Sequence, residues 1–190
     1  MTIFKPNSDP PSVQLATDNL GLLNFSWQQD RYCHRWAFAN SPDLFTLESV
    51  ESDAGECWPT SPPLQQLHQQ SFPDGREVVF GVGMSGRGHW SASFTMVPDL
   101  NAWIIELACR SPQPPIHLGS RYRCSGGLSA QTNGKAVQLS SEVGTIACME
   151  PIDPGCTLAF TDDFMDLLPT TSLDKQLGAT IQWAFRIRIV

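Results

Sequence analysis

Lysine is nearly missing from this chain: three in 190 residues, against nineteen Asp and Glu together. The formal net charge is −7. Nucleic-acid affinity comes mainly from cations that neutralise phosphates, so this balance argues against nucleic acid as a partner. Anionic membrane surfaces are disfavoured for the same reason. No apolar run approaches the length of a membrane span, and no membrane partner is expected. The opening residues, MTIFKPNSDPPSVQL, lack the apolar core of a secretory signal, which makes a cytoplasmic location the expectation.

Signatures of chemistry are missing too. There is no G-x-S-x-G elbow, and His34, His68, His89 and His117 show neither H-x-H nor H-E-x-x-H spacing. The six cysteines include no C-x-x-C pair. No cofactor and no metal is therefore expected. With no export signal and ample apolar mass, the cysteines are expected as buried free thiols. Cys148 and Cys156, flanking the turn Pro151–Gly155, are the pair to bridge if any does. Gly81–Gly86 fits G-x-G-x-x-G, but a dinucleotide fold needs a helix next, and HWSASFTMV reads as a strand. A kinase loop would need a following lysine with H-R-D and D-F-G, none of which is present. These glycines are read as turn chemistry.

What the chain does have is fifteen Pro and fourteen Gly spread along its length, with six Trp and ten Phe. That composition favours short strands and turns around a sizeable core. We expect an extended lead-in over 1–11 and a single β-rich domain over 12–190. The expected fold is all-β: a mostly antiparallel β-sandwich or strongly curled sheet of about ten strands. A partly closed β-barrel is the alternative. Short helices are expected over Leu64–Gln70 and, N-capped by Thr161 with acids in its first turn, up to Leu168. Tyr32, His34, Trp36 and Phe38 share one strand face, as do Ile181, Trp183, Phe185, Ile187 and Ile189.

The densest signal is Glu77–Arg110, which reads as three consecutive strands. A four-residue loop at Pro98–Asn101 pairs Met96 with Trp103, Phe94 with Ile105, Ala92 with Leu107 and Trp90 with Cys109. The other face then pairs Ser93 with Glu106, Ser91 with Ala108 and His89 with Arg110. A three-residue loop at Gly86–Gly88 would pair Met84 with Trp90 and Phe80 with Phe94, leaving Gly81 and Gly83 among the serines.

One face thus comes out apolar and the other small and polar. The candidate ligand-binding residues are His89, Arg110, Glu106, Ser91 and Ser93, with Arg121 extending a cationic patch. An arginine there suits an anion or carboxylate, and a histidine suits proton transfer. The competing expectation is that the chain's own segments cover this face, or that it is merely solvated.

Three phrases, V-G-M-S-G-R-G-H-W-S-A-S-F (Val82–Phe94), E-L-A-C-R (Glu106–Arg110) and L-G-S-R-Y-R (Leu118–Arg123), carry a resemblance, joined by W-x-F-R-I-R (Trp183–Arg188). They resemble an uncharacterised family of bacterial proteins seen mainly in planctomycetes. The resemblance implies a family core in the central segment and no activity.

The leading functional expectation is a non-catalytic β-sandwich module that binds a small molecule, a glycan or a protein partner. Trp27, Trp36, Trp58 or Trp183 would stack on a sugar in the glycan case. Two other classes stay open. One is an enzyme using His89 or His34 with Glu106 as acid and base on an anionic substrate. The other is a homo-oligomeric assembly protein built on an edge strand or apolar patch.

Overall fold

The computed structural model describes residues 9–39, 45–142, 144–171 and 178–190. The lead-in up to residue 8 lies outside that set, as does Leu44, the first residue of a strand that the sequence pattern suggests over Leu44–Val50. Fifteen strands are present among the described residues: β1 (Val13–Thr17), β2 (Gly21–Gln28), β3 (Arg31–Ala37), β4 (Thr46–Ser49), β5 (Gln66–Ser71), β6 (Glu77–Ser85), β7 (Gly88–Val97), β8 (Ala102–Arg110), β9 (Ser120–Ser125), β10 (Ser129–Asn133), β11 (Ala136–Ser141), β12 (Gly144–Ile152), β13 (Cys156–Thr161), β14 (Phe164–Pro169) and β15 (Thr180–Ile189). They form two antiparallel sheets, of order β1-β2-β3-β4-β9-β14-β13 and β10-β11-β12-β15-β8-β7-β6-β5. Neither closes on itself, so the fold is the sandwich rather than the barrel.

The inner faces bury the aromatic alternation read from sequence. Trp36, Tyr122 and Phe25 from the first sheet meet Trp103, Trp183, Phe94 and Phe185 from the second, all fully buried. Rings meet edge to face across the sandwich, as Phe25 meets Phe94 with centroids 5.0 Å apart. The lead-in is tied down at its end, where the Pro11 carbonyl accepts a 3.2 Å hydrogen bond from the Tyr32 hydroxyl.

Both expected helices are strands instead. At 161–168, Asp162 adopts a left-handed φ of 55°, which a short aspartate tolerates. Asp162 and Asp163 make a two-residue hairpin turn, Thr161 pairs with Phe164, and Met165 and Leu167 then alternate into the core. At 64–70, Leu64 is fully buried and its carbonyl accepts from the Tyr32 amide at 2.7 Å. Gln66–Ser71 then runs out as β5, the edge strand beside β6. Tertiary pairing overrides the weak helical pattern in both places. Among the described residues the 3₁₀ turn Pro98–Leu100 is the only helical element. β1 and β10 are edge strands that the sequence pattern did not signal.

The β7–β8 register agrees pair for pair with the sequence reading, from Val97 opposite Ala102 to His89 opposite Arg110. The β6–β7 register differs by one. Ser85 pairs with Gly88 across a two-residue turn, so Phe80 faces Ser93 and Val82 faces Ser91. Gly86 supplies the left-handed φ, 55°, that such a turn asks of its first residue. The slip has a steric cause. The segment Pro63–Gln65 crosses the inner face of β6, and the Gln65 amide bonds to the Val82 carbonyl at 2.8 Å. A side chain at Gly83 would collide with the Pro63 backbone, and one at Gly81 would meet Leu64 at 3.0 Å. The glycines therefore face inward, and Phe80, Val82 and Met84 face outward.

Candidate functional site

The outer face of the eight-stranded sheet collects five of the six residues singled out from sequence. His89 and Arg110 are exposed partners on β7 and β8. With Pro112 and Gly178 they line a cavity of about 490 Å³. Four positions along the same strands, the Ser93 hydroxyl donates to Glu106 Oε2 at 2.9 Å. Ser91, Ser93 and Glu106 line a separate groove of about 340 Å³ that runs from Phe80 on β6 to Gln182 on β15 and Pro154. Four residues of extended chain span about 13 Å, so His89 and Glu106 do not converge on one point. This face is open to solvent, and its β6 side is apolar: Phe80, Val82 and Met84 are 38%, 48% and 51% exposed.

Arg121 belongs to the other sheet. Asp166 holds its guanidinium in a fork, with Nε and Nη2 donating at 2.6 and 2.8 Å, and Phe164 lies beneath it at 5.7 Å. Arg121 and the five other residues are therefore not one patch. His34 is in the core, ringed by Phe25, Trp36, Phe94 and Tyr122, with Nε2 3.1 Å from the Tyr122 hydroxyl. Desolvation lowers its pKa to about 3, so the ring is neutral near pH 7.

A second site was not visible in the sequence. The β2–β3 turn, the start of β3 and the residues after β4 enclose a polar recess of about 260 Å³. Arg31 is only 3% exposed, and Asp30 accepts from its Nε and Nη2 at 2.7 and 3.2 Å. Glu51 Oε1 accepts from the Ser49 hydroxyl at 2.7 Å. Among the described residues, Arg31 Nη1 and Glu51 Oε2 are buried without a hydrogen-bond partner. Burial pushes the Glu51 pKa up to about 7, against the pull of Ser49 and Arg31. Burial also lifts the Cys33 thiol to about 11, so it is no thiolate nucleophile near neutrality. The recess draws on residues 28–31, 33, 48–53 and 123, too scattered to form a motif. The one sequence signal was the polar run Glu48-Ser49-Val50-Glu51-Ser52-Asp53 directly after a strand.

All six cysteines are free; five are buried and Cys57 is exposed. Among the described residues, no group of three or more His, Cys, Asp or Glu is placed to hold a metal. No described helix is long and apolar enough to cross a membrane. No protein-family model, curated protein or solved structure matches the chain.

Proposed function

We propose that this protein is a non-catalytic β-sandwich module that binds a protein partner through the outer face of its eight-stranded sheet. The observation that carries this is the exposed row Phe80, Val82 and Met84 on β6. An apolar row of that kind, rimmed by Ser91, Ser93 and Gln66, has the composition of a recognition surface. β5 lies beside it as an open edge, and its Gln66–Ser71 sequence carries no Lys, Asp, Glu, Arg or Pro to repel a pairing strand. An extended partner segment would add to that edge and lay its apolar side chains on the row.

The tryptophans favour a protein over a glycan. Trp36 and Trp183 are fully buried, and Trp27 and Trp58 pack partly buried against the core. Six free cysteines support a reducing, cytoplasmic compartment.

Panning a random-peptide library against the folded protein tests the reading. Selected peptides should alternate apolar and polar residues and shift amide signals of β5 and β6. Binding should be lost in Val82→Asp with the melting temperature unchanged. Peptides that map elsewhere, or that bind Val82→Asp equally well, would overturn it.

A further inference from the structure

The recess beside β3 lies on the opposite sheet from the apolar row and has different chemistry. Its wall holds two buried groups that lack partners among the described residues: a guanidinium N–H donor on Arg31 and a carboxyl oxygen on Glu51. An unsatisfied buried polar group is costly, and a charged one more so. Arg31 Nε and Nη2 each donate to Asp30, and the other oxygen of Glu51 accepts from Ser49. Both residues line the recess.

The lining decides which ligand fits. Asp30, Glu48, Glu51 and Asp53 face the recess against Arg31 and Arg123 alone. That excess of carboxyls disfavours an anion. The spare donor on buried Arg31 disfavours a cation at the floor. A neutral group remains, and it must accept from an N–H and donate to a carboxyl. A hydroxyl does both at one atom. Around it the wall is rich in acceptors, from Gln28, Gln29 and Glu48 to Ser52, which suits a ligand with several hydroxyl donors. The volume, about 260 Å³, lies near the lower end for small-molecule pockets.

We propose that the Arg31–Glu51 recess is a binding site for a small neutral polyol, a single sugar ring or a cyclitol, with one ligand hydroxyl bridging Arg31 Nη1 and Glu51 Oε2. Arg31 donates to the hydroxyl oxygen, and the hydroxyl in turn donates a hydrogen bond to Glu51. Glu48 and Asp53 accept from neighbouring hydroxyls. No covalent step is involved.

The test is an NMR titration of the whole chain with D-glucose, D-galactose and myo-inositol, following the Arg31 Nε–H and Glu51 carboxyl signals. At least one polyol should move both signals saturably. At about pH 8.5, where the Glu51 carboxyl is ionised, Glu51→Gln keeps the shape but loses the charge, and should weaken that polyol about 10-fold or more, the scale of a hydrogen bond to a charged group. Gln28→Trp on the exposed rim should block the recess without touching the core, which keeps the test valid if Glu51→Gln fails to fold. No saturable shift with any of the three polyols would overturn the proposal. So would a shift that survives Gln28→Trp. Acetamide or methylammonium moving the same signals where the polyols do not would overturn the hydroxyl chemistry.

Discussion

Gly83 lies against Pro63 so closely that its inward face has no room for a methyl group. The contact is backbone to backbone, so no flexible side chain can give way. Gly83→Ala should therefore destabilise the fold by about 1–3 kcal/mol or more, the usual cost of overpacking. Urea denaturation measures it. Ser91→Ala, an exposed position on the neighbouring strand, should stay within about 0.5 kcal/mol of wild type. Equal effects at the two positions would contradict the packing described for β6.

His34 and Glu51 should pull stability in opposite directions with pH. The folded pKa of His34, about 3, lies below its ordinary 6.5. The unfolded chain protonates first, so this contribution is lost as pH falls below about 6.5. The folded pKa of Glu51, about 7, lies above its ordinary 4.5. Here the folded chain holds the proton, so stability is lost as pH rises from about 4.5 to 7. Each slope is at most about 1.4 kcal/mol per pH unit. Between about 4.5 and 6.5 they oppose each other. Glu51→Gln removes one of them, so its urea midpoint should climb with pH across that window more steeply than that of wild type. Parallel profiles for the two proteins would refute the enclosed setting of Glu51.

Thiol labelling should separate Cys57 from the rest. It alone is exposed, and burial lifts Cys33 to about 11 and Cys109, Cys124 and Cys156 to about 12. A thiol reagent should modify one cysteine quickly in the native protein and six after denaturation. Fast reaction of two or more native thiols would contradict the burial.

The Arg121–Asp166 fork is well formed but partly solvated, with side chains 43% and 23% exposed. Such pairs contribute little. Asp166→Asn should cost no more than about 1 kcal/mol, and less at high salt. A thermal melt at two ionic strengths checks both points.

The β7–β8 hairpin was legible because its loop and its alternation agree: a slip by one residue places Trp103 and Leu107 among serines. β6 was not, because its neighbours are glycines. Gly81 and Gly83 carry no pattern of their own, and what they leave room for comes from Pro63–Gln65, some twenty residues earlier in the chain. The same distant contact hid the apolar row, since Phe80, Val82 and Met84 pair plausibly with the core when β6 and β7 are read alone. The aspartates after Thr161 suit a helix start and a hairpin turn equally well, and pairing with β9 and β13 decides between them. The recess was out of reach for another reason. A buried arginine and an exposed one look alike in a sequence, and only the chain folded over Arg31 distinguishes them.

The central place of β15 has a consequence for synthesis on the ribosome. β15 pairs with β8 on one side and β12 on the other. Both neighbours are made before it, and so are the strands beyond them. Until residues 180–189 emerge, β5–β8 and β10–β12 lack the strand that joins them, and β8 and β12 each keep one bare edge. Some seventy residues separate β8 from β15, so the β8 edge stays bare while they are made, and β15 is the clasp that covers it.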